Sequence, residues 1–452
     1  MNYNLLKKYY YNSPTFIKQI YSLIPFNIRN GLDYRKWRMF LKDCNNDKEY
    51  SLLKIKETVN FAYFNIPYYK KLYKNLDIHP KDIKTIKDFK KLPLINKDIV
   101  NENFNTIQNP LLSKNKYFYV TTGGTTGAPT KFLQSNNVWK KELAFVYDLF
   151  EHYGYLASMR KVSFRGGEFN NIKETKFWKQ NPLYNETHFS PFHITEKSIY
   201  YYVNKINKIK APLIHGYPSS IINLIHFIKK TNLKINYIPQ IIMLISEDIV
   251  KEQIDEIRSF FNCKVASFYG HSERLIFAPN LNGLLNDYTL DNCYGFTELL
   301  DKKRSTINKN NIEGEIIGTS FDNYMMPLIR YSTNDFTSYK DINKSKINLI
   351  KGRWEQEYLI GIGDTKISLA AINLHSDVFK NIAKYQYYQT EIGISQINCI
   401  VNNDFSKEDI YILEKELNKK TKNVLKFKVN IVNELELSSR GKFKQLISNL
   451  SK

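Results

Sequence analysis

The residues best suited to chemistry in this chain run from Thr121 to Lys131, TTGGTTGAPTK. Three glycines, five threonines and a lysine stand between the β-rich run KYFYV and a segment that turns apolar again at Phe132. Glycine lets the backbone take positive φ and lets main-chain N–H groups close on a ligand. Such N–H groups form an anion-binding nest, and threonine hydroxyls add donors suited to phosphate oxygens. Thr122, Gly123, Gly124, Thr125, Thr126 and Gly127 are therefore candidate polyphosphate ligands, with Thr126 also a candidate for the chemical step. The loop is not of the Gly-x-x-x-x-Gly-Lys-Ser/Thr type, in which Lys and a hydroxyl follow the second glycine directly. A Gly/Thr-rich surface turn without a ligand has the same composition.

Further candidates lie downstream, each with a plainer alternative. Tyr269 offers a flat face for an adenine and Gly270 leaves room beside it, although a core tyrosine at a strand end would look the same. Glu273, two residues past His271, is a carboxylate able to hold Mg2+ between phosphates; a surface ion pair with Arg274 is the alternative. Asp335 can accept from both ribose hydroxyls, as acidic residues do at other nucleotide sites. Arg330 and Arg353 could reach ribose or phosphate, yet single arginines also serve as structural partners. Lys442 is a compact charge beside Gly441; alone, a lysine in so Lys-rich a chain reads as solvated.

These residues need a scaffold, and the hydrophobic pattern supplies one. Helical periodicity covers Lys48–Phe64, Val138–Tyr153, Glu196–Lys210, Ser219–Lys230 and Asp248–Asn262. Short β-type runs fall between, at Tyr117–Val120, Lys161–Phe164, Leu213–His215, Ile238–Ser246 and Lys264–Tyr269. Strands alternating with helices predict an α/β fold. From Gly295 the texture becomes hairpin-like. A junction near Lys351–Glu357 separates a large body, residues 1–351, from a small α+β lid, 352–452.

At 452 residues, two or three domains are expected, and 42% hydrophobic residues can build a large core. Cys44, Cys263, Cys293 and Cys399 lie far apart with no C-x-x-C pair, which argues against a disulfide framework and for a reducing, cytoplasmic setting. Zinc at Cys263, His271 and Cys293 gets little support from spacing. The net charge of +22 comes from scattered lysines, without an Arg-rich arm or a zinc-finger signature, so specific nucleic-acid binding is not expected. A solvated basic face accounts for it best, with peripheral association with anionic lipid through Lys7–Arg29 as the next alternative.

Four windows in order, TTGGTTGAPTK, SFYGHSER (Ser267–Arg274), RYSTND (Arg330–Asp335) and SSRGKFK (Ser438–Lys444), resemble the signature motifs of the adenylate-forming, AMP-binding superfamily. GEIIGTS ahead of MPLIRY is similar to the phenylacetate–CoA ligase branch. HGYPSS, GRWEQEYLIG and YQYYQ resemble a CapK-type subgroup found with polysaccharide biosynthesis, so the likeness covers essentially the whole chain. The resemblance implies a large domain of layered sheets and helices with a mobile lid swinging near Gly352–Gln356. It also implies an ATP- and Mg2+-dependent ligase acting on a small carboxylate, with an acceptor thiol (coenzyme A) or amine. By it, Lys442 supplies the cation for adenylation; Ser246, Glu247, Tyr269, Gly270, Asp335 and Arg353 join the nucleotide site, with Glu273 on the metal. Arg165, Glu168, His215, Tyr217, Ser219 and His271 become the acyl pocket. The chain departs from the pattern at Ala128, where Lys131 could substitute for the usual lysine. It departs again at Asn334, which stands for glycine and tolerates left-handed backbone, and at the hinge, where Glu355 or Gln356 replaces Asp.

Overall fold

The computed structural model describes residues 13–44, 48–113, 116–122, 130–167, 169, 175–247, 249–284, 286–341, 343–350, 358–372, 378, 381–421, 424–436 and 444–450. The expected α/β class is what forms. The chain divides into two compact units: Met1–Thr122 with Thr130–Leu156 and Ser267–Arg353, and Gly123–Pro129 with Ala157–Ala266 and Trp354–Lys452.

The first unit is built on antiparallel pairings. Strands Tyr117–Thr122 and Thr130–Ser135 form a two-stranded antiparallel ladder in which Thr122 faces Thr130. Gly295–Leu300, Glu313–Ser320 and Tyr331–Ser338 make a three-stranded sheet. Its last pairing shifts register between Glu315 and Ile317, and a bulge of this kind re-aims the side chains it carries. The apolar residues of the helix Lys48–Asn65 (Ile55, Val59 and Ala62) enter a core with Tyr69, Phe89, Leu299, Ile316 and Tyr331. A second helix pair is held by charge: Arg38 on Gly31–Asp43 reaches Asp148 at 2.8 Å and Glu151 at 2.5 Å on Asn136–His152. Lys141 on that helix is buried, donates to Tyr294 O at 2.6 Å and pairs with Asp322. The rings of Trp37 and Tyr294 lie 4.9 and 4.8 Å from its ammonium, which offsets part of the desolvation cost.

One expectation is corrected in this unit. Cys44 and Cys293 are joined in a disulfide, with Cα atoms 6.8 Å apart. Their sequence separation of 249 residues hid the pairing, because spacing reveals a bond only where the fold is already known. Cys263 and Cys399 remain thiols, and the case for a reducing compartment loses the premise of four separate thiols.

The second unit carries a parallel arrangement. Its strands run in the spatial order Trp178–Asn181, Glu186–Phe189, Lys161–Phe164, Leu213–Gly216, Ile241–Leu244. The last four are mutually parallel and Trp178–Asn181 is an antiparallel edge. Helices Ile199–Ile209 and Pro218–Lys230 supply crossovers expected of parallel strands. The C-terminal stretch forms a four-stranded sheet in the order Lys426–Ile431, Ile394–Val401, Ile382–Glu391, Leu446–Ser448. Leu413 and Leu417 of the helix Lys407–Thr421 share its core with Phe192, Tyr217 and Leu359. Asn223 Nδ2 donates to Lys366 O at 2.7 Å and Thr365 Oγ1 to Ile194 O at 3.0 Å, so the C-terminal segment is tied to the parallel-sheet portion of its own unit.

Candidate functional site

In the first unit, three sequence windows meet. Tyr269 is the penultimate residue of the strand Lys264–Gly270, and its hydroxyl donates to Asp335 Oδ2 at 2.8 Å. Burial first, and then the Asp335 carboxylate, push that phenol well above its usual range, so it stays a donor at physiological pH. Asp335 is set by the bulge. Asn334 takes φ +57°, its N–H reaches Glu315 Oε1 at 3.0 Å, and Asp335 N–H reaches Thr333 Oγ1 at 3.1 Å. The left-handed residue expected there is present, and asparagine supplies it at modest cost.

Glu273 is buried, with Oε2 3.2 Å from His271 Nδ1 and Oε1 3.4 Å from the Tyr331 hydroxyl. Arg274 does not pair with it. The guanidinium instead bonds Gln134 and lies 4.9 Å from the Trp139 ring, which leaves Glu273 as a carboxylate held among a histidine and a tyrosine. The Tyr269 and His271 rings stand 5.8 Å apart. Two carboxylates, an imidazole and an aromatic face thus occur within one cluster of one unit. Arg330 takes the structural alternative: its Nε and Nη2 grip both oxygens of buried Glu298 at 2.7 and 3.2 Å. Lys131 Nζ sits 3.7 Å over the Tyr119 ring.

In the second unit the other candidates line the parallel strands. Ser163 is in register with both His188 and His215, so the three share one face, with Lys161 and Glu186 two residues earlier on it. Arg165, just past its strand, pairs with Glu186 at 3.0 Å. Burial pushes the Glu186 carboxyl up, but Arg165 and Lys161 outweigh it and hold it well below the usual range. Burial brings Lys161 down to about 8 and His188 down to about 4, and it carries His215 well below 6.5 with help from Arg165 and Lys161. The chain closes over His188: Phe169 packs on its ring at 4.9 Å, and a Cβ at Gly167 would fall 2.7 Å from its Cε1. Tyr217 OH accepts from Gly166 N–H at 2.9 Å. Ser219 donates through N and Oγ to Glu247 at 3.0 and 2.8 Å, placing a carboxylate at the start of the helix Pro218–Lys230, where the helix dipole favours it. Ser246, beyond the end of its strand, holds φ +62°, a conformation costly for a residue with a Cβ. His193 is satisfied by Ser190 Oγ at 2.7 Å.

This buried face has a pH consequence. His188 titrates near 4 in the folded protein and near 6.5 when unfolded. Between those values the unfolded chain binds the extra proton, so stability is lost as pH falls from 6.5 towards 4. The expected loss from His188 alone is on the order of 3 kcal/mol. Urea unfolding of the parent beside His188→Gln across that window isolates it, and the variant should lose less stability than the parent, with His215 and Asp291 contributing equally to both; identical slopes would refute the assignment.

No family model matches the chain. Protein CapK of Staphylococcus aureus is 26% identical over 429 residues, covering 91% of each chain. A solved 2-hydroxyisobutyryl-CoA ligase in complex with 2-HIB-AMP and CoA, in its thioesterification state, superposes with a TM-score of 0.55 at 14% identity, over 89% of each chain. The same enzyme in its postadenylation state with R3-HIB-AMP gives 0.54, over 88% of this chain and 89% of that one. The chain is therefore similar to CapK along nine-tenths of its length and shares the fold of the 2-hydroxyisobutyryl-CoA ligase.

Within that fold, several named candidates lie outside the described residues: Gly123, Gly124, Thr125, Thr126, Gly127, Glu168, Arg353 and Lys442, together with the hinge Gly352–Gln356. Thr122 is described in its backbone only. Tyr331, Thr333 and Glu315 were not singled out from sequence, although the first two stand inside the quoted RYSTND window. Their job is to present Asp335 and Glu273, which a motif records without revealing.

Proposed function

We propose that the chain is an ATP-dependent carboxylate ligase. A carboxylate oxygen attacks the α-phosphorus of ATP and pyrophosphate leaves, giving an acyl-adenylate; an acceptor nucleophile then attacks the acyl carbon, AMP leaves and the nucleophile's proton passes to solvent. Asp335 holds the ribose hydroxyls, Tyr269 faces the adenine, and Glu273 would hold Mg2+, whose charge neutralises the phosphates. The loop Thr122–Gly127 cradles the polyphosphate, and Lys442 is assigned the cation that stabilises charge at the α-phosphate. Arg165, His215 and Tyr217 belong to the acyl side. The observation that carries this reading is the 2.8 Å bond joining Tyr269 to Asp335 beside Glu273, three residue types that a nucleotide needs and that sequence motifs had marked separately.

Surface-polysaccharide assembly is the proposed setting, resting on the motifs that resemble a CapK-type subgroup and on the 26% identity to CapK over 91% of the chain. Thioester formation with coenzyme A is the second reading, favoured by the fold shared with a CoA ligase. Carboxylate-dependent ATP–pyrophosphate exchange, screened over amino acids, aryl acids, uronic acids and short fatty acids, tests adenylation. Added coenzyme A then yields a thioester on the second reading only. Absence of exchange with every acid, together with ATP binding unaffected by Lys442→Ala, would assign a non-catalytic nucleotide-binding role instead.

Gly270 provides a narrower test. A Cβ there would meet nothing nearer than 3.6 Å, so the protein's own atoms do not demand glycine. Gly270→Ala should therefore leave the melting temperature unchanged and raise the KM for ATP about tenfold, through a methyl group in space meant for the nucleotide. A lower melting temperature with an unchanged KM would make the glycine structural.

A further inference from the structure

We propose that the N-terminal helices of the first unit seat the protein on an anionic bilayer surface. The helix Thr15–Ser22 and the turn after it expose Phe16, Ile20 and Leu23 at 60, 63 and 81%, at the i, i+4, i+7 spacing of one face. Arg29 Nη1 donates to Ser22 O at 2.8 Å and ties the end of this helix to the next turn. The helix Gly31–Asp43 then divides its faces. Tyr34 is buried and Arg38 is ion-paired to the helix Asn136–His152. Leu32 and Met39 point away, 65 and 67% exposed, and Arg35, Lys36 and Lys42 are exposed around them.

Large aliphatic side chains left in water in such density mark a docking surface. Apolar residues flanked by lysine and arginine suit a helix lying in the headgroup region, where the apolar face enters the acyl boundary and the cations meet anionic lipid. The only acidic groups in residues 16–43 are Asp33 and Asp43, against Lys18, Arg29, Arg35, Lys36 and Lys42, with Arg38 already neutralised by Asp148 and Glu151. That balance, on a chain of net charge +22, selects an anionic bilayer over a second copy, because self-pairing through this face would set like charges against each other. Attachment is peripheral: no helix among the described residues is long and apolar enough to cross a membrane. The proposal does not rest on the ligase reading.

Flotation of the full chain with phosphatidylglycerol-containing vesicles tests it, with pure phosphatidylcholine vesicles as the neutral arm. The expected result is capture by the anionic vesicles, weakened by salt, with Ile20→Glu/Leu23→Glu reducing the bound fraction about tenfold or more. Ile238→Glu, at an exposed isoleucine of the other unit, should change nothing. Arg35→Glu/Lys36→Glu, a surface charge reversal that leaves the apolar residues in place, should also release the protein. Equal capture by neutral vesicles, or capture indifferent to both double variants, overturns the proposal. So does a wild-type dimer in light scattering that Ile20→Glu/Leu23→Glu converts to monomer, since that result gives the face to a second copy.

Discussion

Replacing Asp335 with alanine is expected to weaken ATP binding roughly 10²- to 10⁴-fold while lowering the melting temperature by only a few degrees. A carboxylate accepting two ribose hydroxyls makes two charge-assisted bonds, each worth about 1.5–3 kcal/mol, and their summed free energy sets the fold-change at about 1.4 kcal/mol per factor of ten. The stability side follows from the local geometry. The bulge is held by Glu315 and by the Thr333 hydroxyl, which donates to Ile316 O at 2.8 Å and accepts from the Asp335 main chain, so removing the Asp335 side chain leaves the backbone anchored. The bond from Tyr269 must be separated from this effect. Tyr269→Phe keeps the aromatic face and deletes the hydroxyl, and it should cost only a few-fold in affinity. Calorimetric titration with ATP reads both variants. If Tyr269→Phe reproduces the whole loss, Asp335 acts by positioning the ring; if Asp335→Ala binds ATP like the parent, the nucleotide site lies elsewhere.

The regular elements were legible because burial leaves a period in the sequence. Lys161–Phe164 forms over the residues expected, and the helix read as Ser219–Lys230 forms as Pro218–Lys230. The run read as Ile238–Ser246 shortens to Ile241–Leu244: Pro239 cannot donate to a ladder, and Ser246 turns into left-handed backbone. Asn334 was legible for a conformational reason, since few other residues replace glycine at positive φ without strain. What stayed hidden depends on register between distant strands. Nothing local to Lys161, Glu186 or His188 announces that they share a buried face, because each is an ordinary polar residue until the sheet aligns it. The Cys44–Cys293 bond is hidden for the same reason, and Tyr331 looks like core until its hydroxyl is seen against Glu273.

Arg330 and Asp335 stand in one motif, yet they should fail in opposite ways, and Arg330→Ala is the sharper stability test. The Glu298 side chain is 1% exposed and receives two guanidinium bonds, while Arg330 Nη1 also donates to the carbonyls of Lys90 and Leu92. Deleting the guanidinium leaves a buried carboxylate without its main partner, a change that costs about 3–5 kcal/mol. Lys90 Nζ, 3.9 Å from Glu298, is too distant to take over the bidentate role. The backbone adds to the loss, because residue 330 holds φ +51°, and with the side-chain anchors gone that conformation is held only by the main-chain bonds to Thr319 Oγ1 and Ile95 N–H. Arg330→Lys should fall between, keeping charge but not the planar fork. Arg330→Met/Glu298→Leu should lose less than Arg330→Ala, since no charge is then stranded in the core. The check is a urea midpoint that drops with little change in slope, alongside near-parental ATP affinity in the folded fraction. A variant that keeps its midpoint but loses ATP would return Arg330 to the nucleotide and undo its assignment to the fold.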